Sequence, residues 1–257
     1  MVALHEVTKT YAVNGTLVPV LDKVSFSVAP GEFVAILGPS GCGKSTLLNI
    51  IAGLEEPTAG TIALYGCRPR SRLGLSAYMH QKDLLLPWRT VVDNAILPLE
   101  VQGVPRAEAR RRALALLETF GLKGFEKAYP FALSGGMRYR VAFLRTVLAG
   151  RSLVLLDEPF GALDALTRAS LQEWLADLWE TLRLTVLLVT HDVEEALFLA
   201  DRVLVLTPRP ARVQNVVAVD LARPRRRDVV VSPPFIRLKE QVLALIAQTA
   251  SGQRGKG

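Results

Sequence analysis

The nine residues GPSGCGKST, positions 38–46, constrain the fold of this chain more than anything else in it. Gly38, Gly43, Lys44 and Ser45 fill the pattern G-x-x-x-x-G-K-[ST], and Thr46 follows. The apolar run FVAIL ahead of the loop reads as a fully buried strand. Behind it, KSTLLNIIAGL has helical period and stops near Gly53. Strand, glycine loop and helix in that order wrap backbone N–H groups around a phosphate at a helix N-terminus, where the dipole also favours negative charge. Pro39, Ser40, Gly41 and Cys42 form the body of such a loop. Lys44 would reach the β and γ oxygens of a nucleotide, and Ser45 would ligate Mg²⁺. Cys42, close to Lys44 and to the helix N-terminus, is expected to favour its thiolate.

A magnesium nucleotide site also needs a carboxylate at the end of a neighbouring strand, and LVLLDEP (153–159) supplies two in succession. Asp157 would hold the metal through its water shell, and Glu158 would face the γ-phosphate and polarise the attacking water. Other segments fit the same architecture. KVSFSV (23–28) alternates as a half-buried strand, PTAGTIALYG (57–66) is a turn entering a short strand, and LSAYMH (75–80) is a strand candidate ending at Gln81. Residues 91–101 and 105–122 read as helices, the second with Pro105 at its first turn, and together they make a helical subdomain over about residues 82–150. Helix also fits 135–149 and 165–182, the run TVLLVTH is a strand, and Asp192 caps a further helix. Strands alternating with helices predict an α/β domain around a largely parallel sheet.

At 257 residues, half of them hydrophobic, one domain with an appendage suffices: residues 1–220, then 221–257 as a basic linker with a last helix and polar tail. The formal charge of +7 is spread through 24 acidic and 31 basic residues, so it does not by itself call for nucleic acid. The run Arg223 to Arg227 could bind RNA, DNA or anionic lipid, but it lacks interleaved aromatics and reads as a solvated linker. Two cysteines, Cys42 and Cys67, are too few for a disulfide framework and fit a reducing compartment. The N-terminus lacks the features of a secretory signal, and no apolar run approaches the roughly 20 residues of a membrane-spanning helix, so a soluble protein is expected.

A second glycine turn, ALSGGMRYR at 132–140, follows the phosphate loop by about ninety residues and also opens a helix. The phosphate loop, LSGGM from Leu133 and LVLLDEPFGALD to Asp164 stand in the order and spacing of one family. Over about residues 2–220 the chain resembles the ATPase subunit of an ABC transporter. That resemblance implies a P-loop cassette with a mostly parallel core sheet, an N-terminal antiparallel β region and an inserted helical subdomain. It also implies a head-to-tail homodimer that binds ATP and Mg²⁺ at two shared sites, with Ser134, Gly135 and Gly136 on the γ-phosphate held by the other subunit. Met137 stands where many relatives have Gln. By position, Tyr11 would stack on adenine, Gln81 would sense Mg²⁺ and water, Asp164 would line the dimer seam, and His191 would contact the γ-phosphate. In the family the region after Gln81 receives a short helix of the membrane-spanning partner, and here that region carries KDLLLPW, making Leu85 and Trp88 the interface candidates. LLPW followed by VVDN, with PRPARV later, is similar to importers of nitrate, taurine, alkanesulfonates and pyrimidine precursors. Such a subunit would sit peripherally on the cytoplasmic face of the inner membrane, meeting a solute-binding protein only indirectly. Two other classes share the phosphate loop. A nucleic-acid-associated ATPase of the same superfamily usually carries a coiled-coil insertion or a second cassette, and a nucleotide kinase has no use for LSGGM.

Overall fold

The computed structural model describes residues 1–251, with side chains through Gln248; the end of the polar tail, from residue 252, lies outside the described residues. The chain opens with a hairpin of β1 (Val2–Val13) and β2 (Thr16–Val28), turned at Asn14 and Gly15, both with positive φ as a two-residue hairpin loop requires. β3 (Phe33–Leu37) leads through the glycine loop into α1 (Lys44–Ala52). β4 (Ala59–Leu64) then returns to pair with the free edge of β1, completing an antiparallel sheet in the order β2-β1-β4. β5 is short, Ala77–Met79.

The helical part comes next: α2 (Val91–Ala95), α3 (Leu97–Val101), α4 (Arg106–Leu116) and α5 (Gly135–Leu148). The sequence period over 91–101 predicts one helix, whereas the structure breaks it at Ile96. Pro98, which has no N–H to donate, falls in the first turn of α3. The helix expected over 105–122 ends at Leu116 and continues as turns through Gly121. After α5 the chain alternates through β6 (Leu153–Asp157), α6 (Ala165–Leu182), β7 (Thr185–Thr190), α7 (Val193–Leu199), β8 (Arg202–Leu206) and β9 (Val213–Ala218). It closes with α8, Pro233–Ser251. β8 and β9 are absent from the sequence expectation, although β8, RVLVL, is an apolar run buried on both faces like β3.

The large sheet runs β5-β6-β7-β3-β8-β9, parallel throughout except for the β9 edge. Its two faces feed two cores. Phe33, Ala35 and Leu37 point to the side covered by α5, α6 and α7, while Val34 and Ile36 point to α1 and the antiparallel sheet. Burial on both faces is why these strands read as unbroken apolar runs, each large side chain contributing about 1.5–3 kcal/mol by leaving water. Phe120, Tyr139, Phe143, Phe160 and Trp174 stack edge and face between α5 and α6, fixing the helical part against the sheet. Phe235 and Val242 of α8 are fully buried in the same core as Phe33, so the C-terminal segment packs on the sheet domain. Among the described residues no helix is long and apolar enough to cross a membrane.

Candidate active site

The parallel strands β3, β6 and β7 end side by side, and the predicted phosphate, metal and water-activating residues sit at those three ends. At the end of β3, Gly43 has φ +121°, and a Cβ there would come 2.8 Å from Val20 Cγ1, so the loop needs glycine at this position. Lys44 is buried and donates to the loop's own carbonyls, Gly38 O at 2.9 Å and Pro39 O at 3.1 Å. Arg209, from the connection between β8 and β9, donates to Gly41 O at 2.8 Å. Sequence reasoning missed this arginine as a loop residue; its only trace there is the PRPARV run. Cys42 corrects an expectation. It is buried, and burial pushes its thiol up more strongly than Lys44 pulls it down, so the loop does not favour a thiolate.

At the end of β6, Asp157 accepts from Ser45 Oγ at 3.0 Å and from the Tyr78 hydroxyl at 3.2 Å. Burial pushes the Asp157 carboxyl above its ordinary range, against both of these bonds. Tyr78 also lies 3.0 Å from Asn49 Oδ1, and Asn49 in turn donates to Glu55 at 3.1 Å. Glu55 holds the Tyr11 hydroxyl through its other oxygen. Tyr11 therefore stands at the back of the loop, close enough to Thr46 for the two side chains to interact, with the Lys9 ammonium 4.8 Å from its ring centre. Asn49, Glu55 and Tyr78 link Tyr11 to Asp157, and nothing in the sequence pattern marks them.

Glu158 follows β6 with φ +44°, a left-handed conformation that costs a non-glycine residue about 1–3 kcal/mol. Its N–H donates to Val189 O at 2.9 Å and its carbonyl accepts from Gly161 at 3.1 Å, so both neighbouring segments hold the backbone in that conformation. The consequence is an aimed carboxylate: one oxygen lies 3.9 Å from Lys44 Nζ, the other 3.2 Å from His191 Nδ1 at the end of β7. Gln81, exposed after β5, has its amide nitrogen 3.6 Å from where a Gly161 side chain would begin. A cavity of about 480 Å³ opens there, lined by Gln81, Gly135, Arg138, Gly161 and Leu163 among others.

The second glycine turn reaches the same cavity through Gly135. Ser134 is the N-cap of α5, its hydroxyl accepting from Met137 N at 3.2 Å, and the Gly135 and Gly136 N–H groups open the helix. Gly136 packs so closely on α6 that a Cβ would lie 3.1 Å from Thr167 Cγ2. Among the described residues no hydrogen bond or ion pair joins residues 134–136 to residues 38–46. Asp164 caps α6, its carboxylate accepting from Thr167 N at 3.0 Å, and that bond holds its pKa below the usual range. Of the two interface candidates, Trp88 is 71 % exposed, whereas Leu85 is half-buried against the core; the exposed leucine of that loop is Leu84.

The basic run is a second correction. Arg225 is 2 % exposed and donates to backbone carbonyls, Arg223 pairs with Asp201 at 2.8 Å, Arg226 with Asp177 at 2.6 Å, and Arg227 donates to Gln172 at 2.7 Å. The segment is docked on the sheet domain rather than solvated.

A family model described as ABC transporter matches residues 21–161. The chain is 44 % identical over 250 residues to the formylaminopyrimidine import ATP-binding protein ThiZ of Halalkalibacterium halodurans, covering 96 % of this chain and 97 % of that one. It is 45 % identical over 242 residues to the taurine import ATP-binding protein TauB of Rhizobium johnstonii, covering 91 % and 92 %. Among solved structures it is similar to the dimeric ATP-binding cassette MJ0796 in a post-hydrolysis state bound to ADP and Pi, with a TM-score of 0.73 and 32 % identity over 86 % of this chain and 100 % of that one.

Proposed function

The chain belongs to the ABC transporter ATP-binding family, and on that premise we propose that it is the ATP-hydrolysing motor subunit of an importer. The observation that carries the reading is Glu158, fixed in a left-handed conformation with its carboxylate between Lys44 and His191 and beside the Ser45–Asp157 pair. With ATP in the loop, the N–H groups of residues 38–46 and the Lys44 ammonium neutralise charge developing on the phosphates. Lys44 leaves the loop carbonyls to do so. Glu158 accepts the proton of a water placed in line with the γ-phosphate, and His191 holds that carboxylate while facing the same phosphate. Gln81, beside Gly161, orients the water and the metal. The donor set fits Mg²⁺, since a hydroxyl and a carboxylate 3.0 Å apart are both hard oxygen ligands. Ser45 and Asp157 would hold the ion, which would supply positive charge to the phosphates.

Tyr11, held by Glu55 next to Thr46, would stack on the adenine. Ser134 to Gly136 and Asp164, which make no hydrogen bond or ion pair to their own chain's loop among the described residues, serve the ATP of a second copy in a head-to-tail homodimer. Trp88 and Leu85 receive the permease subunits at the cytoplasmic face of the inner membrane, and the solute-binding protein acts through them. The proposed cargo is a small anion such as nitrate or a sulfonate; of the relatives named, one is a taurine importer subunit and one a formylaminopyrimidine importer subunit. The alternative, an ATPase of nucleic acid, would have used the basic run, which is engaged with the protein's own backbone and carboxylates.

Glu158→Gln keeps the shape and removes the base. Hydrolysis should fall about 10²-fold or more while ATP binding survives and an ATP-bound dimer persists on gel filtration. Unchanged turnover would overturn the assignment.

A further inference from the structure

His191 is followed at once by α7, a helix of seven residues (Val193–Leu199), far too short to hold its own position. Its N-terminal end is capped by Asp192, which accepts from Glu194 N at 2.9 Å and Glu195 N at 3.2 Å. At the other end a helix leaves its last four carbonyls without intrahelical donors. Here those are Leu197, Phe198, Leu199 and Ala200, and arginines of the basic run take all four. Arg225 donates to Leu197 O at 3.1 Å, Phe198 O at 3.2 Å and Ala200 O at 2.7 Å, and Arg223 donates to Leu199 O at 2.6 Å. Positive charge at a helix C-terminus is also favoured by the dipole.

The alternation continues. Arg227 lies 5.0 Å over the Phe198 ring and donates to Gln172, which donates to Glu195 of α7 at 3.4 Å. Arg226, between them, turns outward to Asp177. The odd-numbered arginines therefore face one short helix. Arg223 is itself anchored, stacked 4.1 Å over Trp179 and paired with Asp201, whose second oxygen accepts from the first N–H of β3 at 2.9 Å. Arg225 also reaches back to Val219 O at 3.2 Å. Burial lowers its pKa to about 10, so it remains charged at neutral pH.

We propose that Arg223, Arg225 and Arg227 are positioning residues for hydrolysis: a C-terminal strap that fixes α7 and through it the His191 contact to Glu158. The inference rests on the reading of His191 and Glu158 as the hydrolytic pair. A group that merely stabilised the fold would change how many molecules are active, not how fast each one hydrolyses. The deciding measurement is the single-turnover rate of ATP hydrolysis per bound nucleotide, alongside the Kd for MgATP, in full-length native protein, Arg225→Met, Arg227→Met, His191→Ala and the double variant Arg225→Met/His191→Ala. Displacing a catalytic group by a fraction of an ångström to 1 Å costs up to about 10²-fold. Arg225→Met should therefore slow the rate at least about 10-fold with Kd moved less than about 3-fold. The double variant should be no slower than His191→Ala, because both changes act through one side chain. Arg227, half-exposed, loses only the outer contact, and its variant keeps the test available if Arg225→Met does not fold; a smaller slowing at unchanged Kd is expected there. Native rates per bound ATP in folded arginine variants, with His191→Ala slow, would overturn the strap and leave the hydrolytic pair standing. A native rate in His191→Ala would overturn the pair itself.

Discussion

Glu195 shows what burial does to one ionisable side chain beside the site. It lies inside the contact of α6 and α7, 4 % exposed, with Gln172 as its hydrogen-bond donor. Burial pushes its carboxyl up to about 8 from an ordinary 4.5, Asp192 adds to the rise, and Thr190, Arg168 and Gln172 oppose it. The Tyr139 phenol, also raised by burial, faces the same carboxyl from α5. Between pH 4.5 and about 8 the folded chain keeps a proton that the unfolded chain gives up, so the folded state binds more protons and stability falls as pH rises through that window. Glu195→Gln keeps the shape and cannot ionise. Its stability relative to the native protein should rise across the window, reaching on the order of a few kcal/mol near pH 8 and shrinking toward zero at pH 5. Thermal melts of both proteins from pH 5 to 9 measure this, and parallel curves would show that Glu195 does not carry the proton. Glu158 is the contrasting case. Its place after a buried strand is legible in LVLLDEP, but the φ of +44° that aims it is not, because no residue type in that segment announces a left-handed backbone.

At the scale of elements, legibility follows burial. Strands β3, β6 and β7 read directly as apolar runs because both faces are covered, and the helix start at Asp192 reads from its cap, whereas the caps at Ser134 and Asp164 emerge only in the structure. The single helix expected over 91–101 breaks at Ile96, just ahead of Pro98, and the strap reads in sequence as a solvated linker because its partners are carbonyls and distant carboxylates. A charge run announces its partners only when they are neighbours in sequence. The loop between β5 and α2 was half legible. Its apolar content predicts exposed side chains, which Leu84 and Trp88 are, but does not say which leucine points inward. Asn94, fully buried, donates to the carbonyls of Leu86, Arg89 and Thr90 at 3.0–3.1 Å and so fixes the loop with Trp88 outward. Because Trp88 has few protein contacts to lose, Trp88→Glu should change stability by less than about 0.5 kcal/mol and leave ATP binding intact. It should prevent co-purification with the permease subunits, and a stoichiometric transporting complex from the variant would rule this loop out as their docking element.

At the scale of the molecule, the proposed head-to-tail dimer would join the three strand ends of one chain to the serine and glycines at the head of α5 of the other, to which they make no hydrogen bond within one chain among the described residues. Lys44→Ala removes the cation that neutralises the phosphates, and Ser134→Arg fills the N-terminus of α5 with a bulky side chain. Either variant alone gives homodimers with two damaged sites. In a mixed dimer the outcome depends on how the sites are built. If the phosphate loop of one chain faces Ser134 of the other, one site carries both lesions and the other is intact; if both belong to one chain, each site carries one lesion. A single intact site could fail to turn over where two must act together, so nucleotide trapping and crosslinked closure are measured with hydrolysis. Tagged mixed dimers should trap ATP where both parents do not, at up to half the native stoichiometry because one site of the two is restored. Mixed dimers that trap no more than either parent would mean that Ser134 does not serve the partner's nucleotide, and the glycine turn at the head of α5 would then be a helix cap and nothing more.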